Sequence, residues 1–167
     1  STFTVVGSPA VTAFTYTVEG PTGLQKTSNP ISVGFAGAPS SVTALSATPA
    51  DGSVTLTWVA GDMRGGTLKH FEVTVDGGAP TITTRASLVV TGLTNGTSYA
   101  FAVRAVNNEV GAGPSVQTSA APRGTPTVPS ITAVEPGDQR VTVRWDAADW
   151  NGTTAQSYVV TLSPGGL

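Results

Sequence analysis

The side chains singled out for possible chemistry are four aspartates in predicted loops and the single histidine. The aspartates Asp62, Asp76, Asp146 and Asp149 have carboxylates of the kind that bind calcium, and the pair Asp146 and Asp149 could act as the acid and base of a glycosidase. Neither an Asp-x-Asp pattern nor an acidic twelve-residue calcium loop occurs. The single histidine, His70, falls on the polar side of an alternating segment, which indicates a surface histidine. We therefore interpret the aspartates as solvated turn residues and predict no metal, no cofactor and no catalytic residue.

Two Asn-Gly-Thr tripeptides, at 95–97 and 151–153, match the acceptor pattern for N-linked glycans. Asn-Gly is also a strong turn signal, because both residue types tolerate a left-handed backbone. We favour turns over glycan acceptors at both positions.

The composition excludes several classes of function. A net charge of −2 leaves no basic stripe for phosphates, so we predict no nucleic-acid partner. The absence of cysteine excludes disulfides and thiolate chemistry, and no apolar run is long enough for membrane insertion. Charged residues make up only 11% of the 167 residues, against about 25% in average proteins. Together with 20 glycines and 12 prolines, this composition is typical of a β-sheet protein.

The chain contains an internal repeat with a spacing of 87 residues. Proline, tryptophan and other aromatic positions recur in phase: Pro39 with Pro126, Trp58 with Trp145, and Phe71 with Tyr158. A repeat that carries aromatic positions in phase indicates a duplicated core rather than a shared linker.

Alternation of apolar and polar residues predicts the strands of the complete copy. The predicted strands cover 54–58, 68–75, 88–93, 99–103 and 115–119, with turns at 51–52, 76–78 and 95–96. Each strand has one apolar face, and turn signals recur about every 8–12 residues, which favours two antiparallel sheets packed together. The predicted fold class is an all-β sandwich.

The residues at the aromatic positions and the run from Leu93 to Tyr99 resemble the fibronectin type III domain family, in its bacterial or bacteriophage form. The resemblance implies tandem immunoglobulin-like β-sandwiches. It also implies a tyrosine corner, in which the phenol of Tyr99 reaches back to the backbone of the preceding turn. Because a buried hydroxyl needs a partner, we expect that of Tyr99 to find an acceptor. The predicted structural core consists of Trp58, Phe71, Leu93 and Tyr99 in one copy and Trp145 and Tyr158 in the other.

The repeat and the resemblance divide the chain into three segments. Residues 38–124 correspond to a complete module, and 125–167 to the opening half of a following module. Residues 1–37, aligned at a shift of 85, are similar to the closing half of a preceding module, with an unrelated β segment as the alternative. Two interpretations of the halves are open: an excerpt from a longer tandem array, or strand complementation between successive chains.

Trp150 is the most distinctive single residue outside the predicted core, and its counterpart in the repeat is Met63. Both are apolar residues in a loop, so both are candidates for an interdomain or ligand contact. Three roles are open for Trp150: packing against the preceding module, folding back onto its own module, or stacking a sugar on an exposed platform.

The resemblance implies a non-catalytic spacer or adhesion rod in a secreted or surface-exposed protein, and not an enzyme. Three alternatives remain: a bacteriophage tail or capsid component that contacts host glycans, an accessory module of a secreted polysaccharide-degrading enzyme, and a strand-complemented filament subunit. Expected partners are neighbouring modules of the same or adjacent chains, with a protein or a surface glycan as further candidates. The expected localisation is extracellular or at the cell surface, with the virion surface as the alternative.

Overall fold

The structure, a computed structural model, describes residues 12–154, 157–161 and 163. Within this part of the chain every helix or strand element is a strand. The strands are β1 (Thr12–Phe14), β2 (Thr17–Glu19), β3 (Gln25–Thr27), β4 (Ile31–Val33), β5 (Thr43–Ala50), β6 (Ser53–Val59), β7 (Leu68–Val75), β8 (Thr81–Thr83), β9 (Ser87–Thr91), β10 (Tyr99–Asn107), β11 (Val116–Ala120), β12 (Ile131–Gly137) and β13 (Arg140–Trp145). The described residues include no helix with the length and apolar character needed to cross a bilayer.

The strands form five sheets. A four-stranded sheet has the order β11-β10-β7-β8, and a three-stranded sheet has the order β5-β6-β9. Three pairs complete the set: β1 with β4, β2 with β3, and β12 with β13. By residue contacts the chain divides into two compact units. The first includes the described residues up to 47, with 56–88 and 100–119, and the second includes 48–55, 89–99 and the described residues from 120 onward.

The core of the first unit lies between two sheets. On β7, Phe71 and Val73 are buried while Glu72 between them is not, so the apolar face alternates as the sequence predicts. On β10, which pairs antiparallel with β7, Phe101 and Val103 are buried in the same way. Trp58 on β6 is 4% exposed, and its ring meets that of Phe71 edge to face with centroids 5.4 Å apart. This contact joins the two sheets into the predicted β-sandwich.

The second unit contains the β12 and β13 hairpin, whose antiparallel register runs from Gly137 opposite Arg140 to Ile131 opposite Trp145. Trp145 and Tyr158, which the sequence assigns to a core, are each 38% exposed. Both rings are thus more exposed than those of Trp58 and Phe71 in the first unit. The rings of Trp145 and Tyr158 nevertheless contact each other, with centroids 5.6 Å apart.

The strand boundaries differ from the prediction at several points. The strand predicted over 88–93 is β9, which ends at Thr91 because Gly92 adopts a φ of +75°. Leu93 therefore lies in the following turn, where it is half-buried. The short strand β8 falls in a segment, 81–83, for which the sequence predicts no strand.

Candidate functional site

The site with the most specific geometry is built on the turn 149–152. The Asp149 carboxylate accepts a hydrogen bond from the backbone N–H of Asn151 at 2.8 Å, and the N–H of Thr153 donates to the carbonyl of Trp150 at 2.9 Å. Asn151 and Gly152 have φ angles of +50° and +81°. Asparagine and glycine are the residues that adopt this left-handed region at least cost, which explains the Asn-Gly pair here.

The turn 149–152 is hydrogen-bonded to the segment 124–127, which precedes strands β12 and β13. The N–H of Gly124 donates to the carbonyl of Asn151 at 2.9 Å. Thr127 and Asp149 exchange two bonds of 2.8 Å each, one from the Thr127 N–H to the Asp149 carbonyl and one from the Asp149 N–H to the Thr127 hydroxyl. We call this set of hydrogen bonds, together with those inside the turn, the turn-to-linker lock.

The same lock occurs in the first unit at positions that are 87 lower. In the turn 62–65 the Asp62 carboxylate accepts a hydrogen bond from the Arg64 N–H at 2.7 Å. Arg64 and Gly65 have φ angles of +49° and +79°. The bonds that correspond to the lock are Gly37 N–H to the Arg64 carbonyl at 2.9 Å, Ser40 N–H to the Asp62 carbonyl at 2.8 Å, Asp62 N–H to the Ser40 hydroxyl at 2.8 Å and Gly66 N–H to the Met63 carbonyl at 3.0 Å. The sequence repeat is thus also a repeat of hydrogen bonds.

The second unit also contains a cluster of hydrogen-bonded side chains beside its lock. The amide nitrogen of Asn95 donates to a carboxylate oxygen of Asp51 at 2.7 Å and to the amide oxygen of Asn151 at 2.5 Å. The amide oxygen of Asn95 accepts from the N–H of Gly52 at 2.9 Å. The amide nitrogen of Asn151 donates to the carbonyl of Thr125 at 3.1 Å. We call Asp51, Asn95 and Asn151 the amide relay.

Three glycines allow the backbones around the amide relay to approach closely. The N–H of Gly96 donates to the carbonyl of Pro122 at 2.8 Å. A Cβ on Gly152 would lie 2.9 Å from that same carbonyl oxygen, and a Cβ on Gly124 would overlap the side chains of Asn151 and Asp51. Larger residues at Gly124 or Gly152 would therefore push these segments apart.

The amide relay includes the asparagines of both Asn-Gly-Thr tripeptides, the candidate acceptors of N-linked glycans. An N-linked glycan replaces a hydrogen on the side-chain nitrogen of asparagine. On Asn95 that nitrogen donates to two acceptors, so in this fold both of its hydrogens are in use. Both tripeptides form turns, in which Gly96 and Gly152 have φ angles of +79° and +81°.

Trp150 packs within its own segment. Its ring meets that of Tyr158 edge to face with centroids 5.7 Å apart, and the Tyr158 hydroxyl accepts a bond from the N–H of Ala148 at 2.9 Å. This contact is one that folding back onto its own module predicts, and the three roles of Trp150 stay predictions. The neighbouring Asn151 accepts a hydrogen bond from Asn95.

Tyr99 forms the corner that the resemblance implies, with one difference. Its hydroxyl accepts a hydrogen bond of 3.0 Å from the N–H of Thr94, whereas the sequence led us to expect the hydroxyl to donate to an acceptor. The adjacent Leu93 donates its N–H to the carbonyl of Gly52 at 3.0 Å. The corner therefore holds the 93–97 turn that presents Asn95 to the relay.

A residue that sequence reasoning missed is Asn107, at the end of β10 and 1% exposed. Its amide nitrogen donates to the carbonyls of Gly37 and Met63 at 2.8 and 3.3 Å. Its amide oxygen accepts from the N–H groups of Val110 and Gly111, both at 2.9 Å. The signal available in the sequence was an asparagine that ends an apolar strand before a Gly-containing loop. Met63, the counterpart of Trp150, contributes its backbone carbonyl to this network.

Three of the four aspartates singled out as possible catalysts have carboxylates that accept a backbone hydrogen bond. Asp62 and Asp149 cap their turns, and Asp76 accepts from the N–H of Ala100 at 2.8 Å. The backbone N–H of Asp146 donates to the carbonyl of Ser130 at 2.9 Å, which ties its segment to that residue. Across the described ranges, no three His, Cys, Asp or Glu residues are grouped so that they could hold a metal ion.

A charged cluster lies on the four-stranded sheet. Arg104 donates to Glu72 through two nitrogens at 2.6 Å each, and this bond, with His70 nearby, holds the pKa of the Glu72 carboxyl below its usual value. His70 lies 3.5 Å from Glu72, and its side chain is only 14% exposed, so it is more covered than the surface position predicted for it. At the adjacent loop the N–H of Thr67 bonds Glu109 and lowers the pKa of that carboxyl.

The chain is similar to known proteins both in sequence and in structure. A family profile described as "Fibronectin type III domain" matches residues 37–121. Among solved structures, the chain is similar to the crystal structure of the rat CD45 extracellular region, domains d3-d4, with 20% identity and a TM-score of 0.52 over 72% of this chain and 69% of that chain. It is also similar to the spore cortex lytic enzyme SleM of Clostridium perfringens, with 17% identity and a TM-score of 0.42 over 50% of this chain and 28% of that chain. A comparison with curated protein sequences gives no match. At 20% identity the similarity to CD45 is one of fold.

Proposed function

The chain belongs to the fibronectin type III family, and on that premise we propose that it is a non-catalytic structural spacer within a tandem array, in a secreted or surface-exposed protein. Domains of this family are generally non-catalytic structural or binding modules.

The observation that carries the proposal is the repeated turn-to-linker lock. Hydrogen bonds with the same donors and acceptors join Gly37 to Arg64 and Gly124 to Asn151, 87 residues apart. A spacer must hold the segment between modules in one conformation, and backbone hydrogen bonds on that segment restrict it more than proline alone. The repetition also supports a division into 1–37, 38–124 and 125–167, with the middle segment as the complete module.

The segment between the modules is also hydrogen-bonded to turns of the module that precedes it. The N–H of Arg123 donates to the carbonyl of Ala50 at 3.2 Å, and the carbonyl of Pro122 accepts from Gly96. Residues 122–124 are therefore tied both to turns of the module that precedes them and to the turn 149–152 that follows. This bonding is consistent with a spacer and unlike a flexible tether.

The spacer proposal is tested by a distance measurement between two spin labels. Because the chain has no cysteine, Gln117→Cys and Thr142→Cys introduce the only two labelling sites, on β11 and β13. We expect one narrow distance distribution by pulsed electron resonance, and a broad one after insertion of Gly-Ser-Gly behind Thr125. A broad distribution in the unmodified linker would overturn the proposal.

The proposed localisation has its own test. An antibody against residues 38–124, applied to intact cells of the source before and after protease treatment, should lose its signal on treatment. A signal that survives on intact cells and disappears only after lysis would contradict surface exposure.

A glycan array separates a spacer from a glycan-binding component. We expect no saturable binding from the 167-residue chain. Saturable binding that Trp150→Ala removes and Met63→Ala retains would favour a glycan-binding role instead.

A further inference from the structure

We propose that Asp51 and Asn95 of the amide relay form a docking site for an Asn-Gly turn of the following module, and that Asn151 determines which turn docks there. The occupant is the turn 149–152 of this same chain, and the receiving residues are Asp51 and Asn95. The inference rests on the proposed function, since it names the partner of the module at one junction of the spacer.

The orientation of the Asn95 amide is fixed by its three partners. Its nitrogen faces two oxygens, on Asp51 and Asn151, and its oxygen faces the N–H of Gly52. A flipped amide would set oxygen against two oxygens and nitrogen against an N–H, which removes all three bonds. Asn95 therefore presents a donor to the docking turn, and the docking residue must offer an acceptor.

Asn151 offers that acceptor and also holds itself in place. Its amide oxygen accepts from Asn95, while its amide nitrogen donates to the Thr125 carbonyl. The bond between the two asparagines is part-buried, so that losing either partner leaves a polar group that water reaches less easily. Gly96 and Gly152 allow the approach, since a Cβ on Gly96 would lie 3.2 Å from the Cα of Gly152.

The first repeat shows why the side chain, and not the backbone, carries the selectivity. Arg64 occupies the position that corresponds to Asn151, with a φ of +49° against +50° and the same bond from its carbonyl to a glycine N–H. A guanidinium has five donors and no acceptor, so it cannot accept a bond from the Asn95 nitrogen. The turn 62–65 thus has the backbone of a docking turn and the wrong side chain for this site.

The first experiment compares Asn151→Ala, Asn151→Arg and the control Asn108→Ala in the full chain. Asn108 is an exposed asparagine whose amide donates to the Thr67 hydroxyl, away from the junction. We expect hydrogen exchange at the Gly96 and Gly124 amides to accelerate about tenfold in both Asn151 variants, which corresponds to about 1.4 kcal/mol. The control should leave both rates unchanged. Rates in Asn151→Arg equal to those of the unmodified chain would overturn the proposal.

A double-mutant cycle then tests whether Asn95 and Asn151 act through each other. If they do, Asn95→Ala and Asn151→Ala together accelerate exchange at Gly124 no more than the stronger single change does. Effects that multiply would show that the two asparagines act independently, and the relay would be wrong. The indole N–H resonance of Trp58 reports in each variant whether the module remains folded.

The spin-label measurement separates this inference from the function on which it rests. A narrow distribution that broadens in Asn151→Ala supports both. A narrow distribution that Asn151→Ala does not change would refute the docking proposal and leave the spacer proposal standing. A distribution that is already broad in the unmodified chain would refute the spacer proposal.

Discussion

Asn107 offers the sharpest test of how the first unit is held together. Substitution by alanine removes four hydrogen bonds, three of them between 2.8 and 2.9 Å and one of 3.3 Å. At about 0.5–1.5 kcal/mol for each short bond, with little from the long one, we expect Asn107→Ala to lower the free energy of unfolding by about 2–4 kcal/mol. Asn108→Ala, one residue further on, should change it by less than about 0.5 kcal/mol, since that side chain is exposed.

The assay is a urea titration of the full chain, followed by the indole N–H resonance of Trp58. This probe reports the sandwich alone, whereas total fluorescence would mix it with Trp145 and Trp150. A shift of the midpoint at constant slope measures the change in stability. If Asn107→Ala and Asn108→Ala have the same midpoint, the network around Asn107 is not what holds these loops.

A second variant, Asn107→Asp, tests the direction of the bonds. One carboxylate oxygen still accepts from Val110 and Gly111, but the other then faces the carbonyls of Gly37 and Met63. Burial against these oxygens raises the pKa of the new carboxyl in the folded state above the unfolded value of about 3.9. The folded state then binds more protons, so the loss of stability should grow as the pH rises above about 4. A loss that is independent of pH would refute this assignment of donor and acceptor.

Three further outcomes are expected from residues described above. Trp58→Ala should lower the free energy of unfolding by about 3–5 kcal/mol because the Trp58 ring is buried against Phe71. Trp150→Ala should lower it by less, because that ring is only half-buried. Equal losses for the two variants in urea titrations would contradict this assignment of the core. Tyr99→Phe removes the acceptor for a backbone N–H and should cost about 0.5–1.5 kcal/mol in the same titration, and an unchanged midpoint would argue against the corner. Arg104 lowers the pKa of the Glu72 carboxyl, so its contribution is present above the unfolded pKa of about 4.3 and is lost as the pH falls through the folded pKa. The difference in Tm between the unmodified chain and Arg104→Gln should therefore be constant above about pH 5 and shrink toward pH 3, and a difference that does not vary with pH would contradict the pairing.

Much of the fold could be predicted from local pattern. Alternation in β6, β7 and β10 identified the buried faces, and the resemblance to fibronectin type III domains is confirmed by the family match over 37–121. These features depend on neighbours within one strand, where a period of two is visible in the sequence. The strand β8 was missed because three residues are too few to show that period.

The site was less accessible to sequence reasoning, because its contacts join distant segments. Asn95 and Asn151 were recognised as turn residues, but the bond between them depends on where two turns meet, 56 positions apart in the chain. The only signal for Asn107 was an asparagine at the end of an apolar strand, and its bonds to the carbonyls of Gly37 and Met63 are visible only in three dimensions. The partial exposure of Trp145 could not be predicted from its residue type, because it depends on which distant segments pack against β13.

The turn-to-linker lock also constrains how a gene for such a protein can change length. Gly37 and Gly124 meet their turns at Arg64 and Asn151 through the same bond, so the two copies are in phase over 87 codons. Unequal crossing-over between in-phase copies would add or remove a whole unit and leave every linker glycine opposite a turn carbonyl. A crossover out of phase, or a one-codon deletion between Gly124 and Thr127, would separate these partners and leave backbone groups without bonds. Selection on folding alone would therefore favour growth and loss in steps of one complete repeat.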